Sequence, residues 1–340
     1  EGRFIPKYNV YSYTFYNTLN YKNFNWYLEY ARKTDDAIRN QAGSQLIKQD
    51  GYTLYTSLNY SFPGFGINLQ YRKSETFNFN MTPYTEPLRG VINYLPPIAK
   101  QHSMRLTGRY SPQTINFGEE GYQADFTISP DNESTININL SYIQNGEDQR
   151  LFSAPSIAYK SVVNGEESPS PADKLYHEVN FDYYRRWTRN FKSTIGLQTV
   201  HYDRRVFQGK PGANMVKTIT PFSEFTFKLD RRKSIRTELQ YLKTEQDKGN
   251  MAFGLVEFNV APHYSISISD MVNTEPRKNG ELKDDQDFIH YYNVFGAYTL
   301  NQTRFTLGYV KQVEGIVCTG GVCRVEPAFS GVKFGVSTNF

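Results

Sequence analysis

The chain has 340 residues with 38 Lys and Arg against 34 Asp and Glu, and 27 Tyr, 24 Phe and 2 Trp bring the aromatic share to 16% although only 39% of residues are apolar. The two charge signs are scattered without a basic tract, which argues against nucleic acid as a partner. No stretch approaches the roughly 18 consecutive apolar residues of a membrane-spanning helix, so the rings must be placed some other way.

In chain order, period-2 alternation predicts strand after strand. Phe24, Trp26, Leu28 and Tyr30 alternate with polar neighbours, as do Tyr52, Leu54, Leu58 and Tyr60. Ile67, Leu69 and Tyr71 follow across Pro63 and Gly64, which makes a hairpin. A strand is expected at residues 88–95, stopped by Pro96 and Pro97, and another at Met104, Leu106, Gly108 and Tyr110. The pattern resumes at Tyr122, Ala124, Phe126 and Ile128, then at Ile136, Ile138, Leu140 and Tyr142. Val179, Phe181 and Tyr183, then Ile195 and Leu197, then Phe225, Phe227 and Leu229, then Ile235, Leu239 and Tyr241 continue it. Val256, Phe258 and Val260 precede Tyr264, Ile266 and Ile268, and the last strands carry Phe305, Leu307 and Tyr309, then Val332, Phe334, Val336 and Phe340.

Strands of about 10 to 13 residues exceed the usual globular length of about 5 or 6 and match the roughly 9 to 11 that cross hydrocarbon when tilted. The opposite face carries Glu29, Arg72, Arg105, Arg109, Asp125, Glu178, Asp182, Glu224, Arg236, Glu238, Glu257 and Arg304. A soluble sandwich would also show one wet and one dry face. Strand length, Tyr and Phe at strand ends, and alternating short and long connections favour an all-β fold: a transmembrane antiparallel β-barrel of about 16–17 strands with outer-membrane lipid around it. The closing strand, with Val332, Phe334, Val336 and a final Phe340, resembles the C-terminal assembly signal of outer-membrane barrels. That resemblance implies the barrel-assembly machinery as a partner.

With the last strand ending in the periplasm, outer loops are expected at 34–50, 112–118, 146–173, 203–213, 246–249, 273–286 and 314–327. Short turns at Pro63 and Gly64, 129–134, 186–190, 230–233, Ala261 and Pro262, and Asn301 and Gln302 then fall on the periplasmic side. The count is 17 with the weak element at 88–95, and an odd count leaves the start of the chain outside. Single-chain barrels of this kind have even numbers. The expectation is that residues 1–340 form one barrel domain that is the C-terminal part of a longer barrel, partnered by an N-terminal barrel fragment; a miscount at 88–95 is the alternative.

The stretch from Asn93 through Pro96 and Pro97 to His102, and that from Val313 through Cys318 and Cys323 to Pro327, resemble a large outer-membrane barrel family of Bacteroidota known only as a domain of unknown function. The resemblance implies members longer at the N-terminal side, no assigned catalytic residues, and other envelope subunits or surface lipoproteins as expected partners.

Cys318 and Cys323 bracket a Gly-Gly turn, which suits a disulfide loop staple in an oxidising compartment; a redox pair or two metal ligands are the alternatives, with unusual spacing. His102, His177, His201, His263 and His290 are dispersed. His201 with Asp203 and His177 with Asp173 are the pairs a hydrolase could use, but no nucleophile sits in a recognisable frame. Neither enzyme activity nor a cofactor is expected. Arg236 and Glu238 should face Glu224 and Glu257 on flanking strands, as a structural network or as a selectivity lining. The expected function is a non-enzymatic channel or transport component of the envelope. The alternative is a plugged subunit of an assembly, secretion or surface-lipoprotein complex, and an outer-membrane hydrolase trails far behind.

Overall fold

Alternation is the local reason for the architecture: each strand has one apolar and one polar face, and short turns keep consecutive strands in register. The computed structural model describes residues 9–39, 46–77, 79, 92, 95–115, 118–146, 174–210, 212–278, 281–282, 288–313, 315–319 and 322–339. The strands are β1 (Ser12–Tyr21), β2 (Phe24–Arg39), β3 (Leu46–Phe62), β4 (Phe65–Glu75), β5 (Gly118–Asp131), β6 (Ser134–Asn145), β7 (Lys174–Arg186) and β8 (Phe191–Tyr202). After the one-turn helix α1 (Arg204–Phe207) come β9 (Val216–Lys228), β10 (Lys233–Leu242), β11 (Met251–Val260), β12 (Tyr264–Asn273), β13 (Arg277–Lys278) and β14 (Glu281–Leu282). The chain closes with β15 (Ile289–Leu300), β16 (Thr303–Gln312), β17 (Gly315–Thr319), β18 (Val322–Glu326) and β19 (Phe329–Thr338).

Among the described residues, 15 strands form one antiparallel sheet in the order β1 to β12, β15, β16, β19, while β13 with β14 and β17 with β18 make small separate hairpins. Short turns gather at one end. Gly64 (φ 84°) and Asn301 (φ 51°) supply the left-handed backbone that two-residue hairpins require. At the turn into β10, the Asp230 carboxylate accepts the N–H groups of Arg232 at 2.7 Å and Lys233 at 2.9 Å; these bonds, the one from Arg232 foremost, hold its carboxyl below the ordinary range. Among the described residues, the strand ends joined by longer connections lie at the other end.

The outward face is apolar along continuous rows of register partners. Val256, Ile268, Val294, Tyr309 and Val332 face one another across five strands, and all are exposed, Ile268 at 59% and Val332 at 64%. A second row runs Tyr60, Ile67, Phe126, Ile138, Phe181, Leu197. The inward face is the reverse: Ser57, Asn139, Ser141, Glu178, Asn180, Gln198, Thr220, Glu238 and Gln240 are polar and buried.

Among the described residues the sheet holds 15 strands, against the 16–17 expected. Met104, Leu106, Gly108 and Tyr110 are not in a strand: they form turns, with Gly108 N–H bonded to the Met104 carbonyl at 3.0 Å and Arg109 N–H to that of Leu106 at 3.2 Å. Leu106 and Tyr110 are both buried, and their i, i+4 spacing fits a single helical turn as well as it fits period 2. The element expected at 88–95 falls mostly outside the described residues, and Ile92 and Leu95 are not in strands. The loop expected at 34–50 is mostly β2 and β3, which stay paired in register from Asp36 with Gln49 to Arg39 with Leu46 after a register shift between Lys33 and Asp36. The loops expected at 273–286 and 314–327 contain β13 with β14 and β17 with β18, and 203–213 contains α1. The loop 147–173 lies outside the described residues.

The wall curves around residues 95–115. At the long-loop end the inward face turns apolar, and Leu106 and Tyr110 pack there against Ile143, Val200, Tyr202, Val216, Leu242 and Met251.

Candidate functional site in the lumen

The lumen site is the meeting of residues 95–111 with the polar wall. Their entry is set by Arg72 on β4, whose guanidinium donates to the Pro96 carbonyl and pairs with Glu119 on β5. Both side chains are buried, and Glu119 also accepts the Ile115 N–H at 2.8 Å. A buried ion pair holds only when its remaining hydrogen-bonding capacity is met, and here the crossing segment meets part of it. Gly121 on β5 makes room for the segment: a Cβ there would lie 3.1 Å from the Cβ of Ile98.

Farther along, Lys100 Nζ lies 2.8 Å from Asp182 on β7, which also accepts from Asn137 at 2.8 Å. Glu178, buried on the same strand, receives three donors: His102, Gln198 Nε2 at 2.8 Å and the Tyr176 hydroxyl at 2.9 Å. Gln198 also donates to the Thr107 carbonyl at 3.0 Å. From β10, Gln240 Oε1 accepts the N–H groups of Leu106 at 2.7 Å and Thr107 at 3.3 Å. Tyr110 donates to Asp247 at 3.0 Å, which Arg204 of α1 pairs at 2.9 Å. Burial pushes the Tyr110 phenol above its ordinary value, so it stays a donor. The segment is therefore tied to β4, β7, β8 and β10 and to the 243–250 connection.

The expected charge positions divide between this segment and the wall. Glu178, Asp182 and Arg72 hold the segment. Arg105 and Arg109 ride on it, Arg105 exposed and Arg109 with its guanidinium 5.7 Å from the Tyr110 ring centroid; neither lies on a wall strand as the alternation suggested. Arg236 reaches Glu224 at 3.0 Å, Glu238 at 3.2 Å and Glu257 at 3.2 Å, one cation among three carboxylates. Arg304 is exposed near the short-turn end, in register with Thr299 and Ser337. Asp125 accepts from Asn139 at 2.5 Å and Gln123 at 2.9 Å.

His201 and Asp203 do not form a pair. Asp203 is the N-cap of α1, accepting the Arg205 N–H at 2.8 Å and the Arg205 guanidinium, because an Asp before a helical turn satisfies orphan N–H groups. His201 instead faces His177 in direct register, ring centroids 5.7 Å apart, with Lys174 Nζ 3.1 Å from its Nδ1; Asp173 lies outside the described residues. Cys318 and Cys323 are direct backbone partners across β17 and β18. Val332, Phe334 and Val336 point outward and are exposed, and Phe340 lies outside the described residues. Among the described residues, no group of three or more His, Cys, Asp or Glu is placed to hold a metal ion.

Sequence reasoning missed Gln198, Gln240, Lys100 and His102 as a set. The two glutamines occupy inward register positions, which alternation does show, but their partners lie about 90 and 130 residues away in the chain.

The chain belongs to the family of unknown function DUF6029, whose model matches residues 4–340. No curated protein matches it. Among solved structures, it is similar to a mutant porin of Rh. blastica at 10% identity, covering 97% of this chain and 90% of that one with a TM-score of 0.39. It is similar to the FrpB iron transporter from Neisseria meningitidis at 12% identity, covering 98% and 58%, with a TM-score of 0.48. The copper transporter OprC gives 10% identity, 97% and 57%, and a TM-score of 0.47; the chain thus spans little more than half the length of these two transporters.

Proposed function

We propose that this chain is the wall of a non-enzymatic transport barrel in a bacterial outer membrane, closed at rest by its own residues 95–111. The apolar outward rows suit lipid, and strands of this length suit a tilted crossing. The observation that carries the closed reading is the Gln240 and Gln198 clamp on the backbone of Leu106 and Thr107. A side-chain clamp on a crossing loop is the kind of contact a solute or an envelope partner can displace, because each bond has a polar substitute in water. The second reading, a permanently plugged scaffold subunit for assembly, secretion or surface-lipoprotein handling, is favoured by the apolar packing of Leu106 and Tyr110.

Planar-bilayer recording of the complete protein tests this. The wild type is expected to be silent, and the Gln198→Ala, Gln240→Ala double variant to show openings. A steady ohmic pore in the wild type would sink the closed reading, and silence in both proteins would favour the scaffold.

A further inference from the structure

At the long-loop end, charges on the outward face meet opposite charges over much of the wall. Arg32 on β2 pairs with Asp50 on β3 at 3.2 Å, Lys73 on β4 is in register with Glu120 on β5, and His290 on β15 lies 2.6 Å from Asp270 on β12. The arc from β7 to β10 differs. Tyr142, His177, His201 and Lys217 are register partners in one row across β6 to β9. Lys174 stands beside the row, and Lys243 bridges Ile219 next to it. Among the described residues, Lys174, Lys217 and Lys243 form no ion pair. The acids close to them in the chain serve elsewhere: Glu178 is buried on the inward face and Asp203 caps α1. Glu245, exposed in the 243–250 connection, pairs with none of the three lysines.

The row is built from donors. Lys174 Nζ lies 3.1 Å from His201 Nδ1, and an ammonium has no acceptor, so Nδ1 accepts and the ring proton of His201 sits on Nε2. The His177 ring stands edge-on to that of His201 at 5.7 Å and to Tyr142 at 6.4 Å. One pleat nearer the short turns, about 7 Å away along the strands, the next row holds Leu140, Val179, Thr199 and Ile219. Ile138, Phe181 and Leu197 follow below it. Leu140, Phe181, Leu197 and Ile219 are all exposed on the outward face. Cationic donors therefore stand directly above an apolar lane.

We infer that Lys174, His177, His201 and Lys217 hold the phosphate headgroup of an anionic lipid, whose acyl chains lie along Leu140, Phe181 and Leu197. A phosphate supplies both of the things this row lacks, negative charge and acceptor oxygens for its donors. Like charges brought together on a surface repel, and an anion seated among them reverses the sign of that interaction. The apolar lane decides the source: it continues from the row toward the short turns, so the ligand that matches both parts carries chains below its charge. The inference rests on the lipid-facing reading of the outer rows.

The test is native mass spectrometry of the complete protein in detergent, titrated with phosphatidic acid, with diacylglycerol of the same chains, or with phosphatidic acid and inorganic phosphate together. The wild type is expected to retain phosphatidic acid over diacylglycerol, and inorganic phosphate is expected not to displace it. Lys174→Gln with Lys217→Gln should weaken retention about 30-fold, the scale of two lysines at an anionic surface, and Lys174→Arg with Lys217→Arg should restore it. Arg32→Gln with Lys311→Gln removes the same charge elsewhere on the rim and should change nothing. Equal retention of the two lipids by the wild type overturns the site, and that comparison needs no variant to fold. Equal losses in the two glutamine pairs overturn it as well. Displacement by inorganic phosphate overturns the lipid source. A protein that stays dispersed without detergent and retains neither lipid overturns the lipid-facing reading itself, so the two failures are distinct.

Discussion

Gln240 Oε1 on the inward face of β10 accepts the backbone N–H of Leu106 at 2.7 Å across 134 residues of chain. A side-chain amide thus completes the hydrogen bonding of a turn that has no strand partner. Removing it leaves buried N–H groups unsatisfied, which costs about 1–3 kcal/mol. Gln240→Ala is expected to lower unfolding stability by that amount and to raise amide exchange at residues 104–110 while the wall strands keep their protection.

Gly121 faces Ile98 at a distance that leaves little room for a side chain. Gly121→Val overpacks that contact, a change worth roughly 1–3 kcal/mol, and is expected to push residues 95–100 off the wall. Protease sensitivity confined to this segment, with a lowered denaturant midpoint, would show it; an unchanged digestion pattern would count against the packing described.

Arg236 is the cation shared by Glu224, Glu238 and Glu257. Arg236→Met leaves three carboxylates together and is expected to destabilise the barrel by about 2–3 kcal/mol, the scale of hydrogen bonds to charged groups. Since protonation removes the repulsion, the deficit should shrink as pH falls through the carboxylate range. Urea midpoints at neutral and acidic pH measure this, and a deficit that grows in acid would contradict it.

Ile268 lies in the outward apolar row. A charge on a lipid-facing strand position costs about 2–4 kcal/mol at the bilayer midplane, so Ile268→Arg is expected to impair folding into vesicles far more than Ser269→Arg on the inward side of the same strand. Equal effects would argue against lipid on the outward face.

Cys318 and Cys323 are directly opposed across β17 and β18, and opposed residues lie about 4.5–5.5 Å apart at Cα, inside the bridging range. The disulfide proposed from the sequence predicts that maleimide labels neither thiol until a reductant is added. Labelling of the untreated protein would rule it out.

The Arg236 group was legible because alternation put Arg236, Glu238, Glu224 and Glu257 on one face and the short turn into β10 left little freedom of register against β9. Leu106 and Tyr110 were not legible, since spacing by four residues satisfies strand and helical periods alike. Asp203 was misplaced for a related reason: proximity to His201 in sequence says nothing of whether an Asp turns back to cap the helix that follows.

The sequence by itself determined the all-β class, the lipid-type outward stripe and the ends at which short and long connections gather, because all three follow from local periodicity and turn chemistry. Only the tertiary structure decided that residues 95–111 occupy the lumen and that β1 and β19 stay unpaired among the described residues. Those outcomes depend on contacts between groups far apart in the chain, whose energies have no local signature.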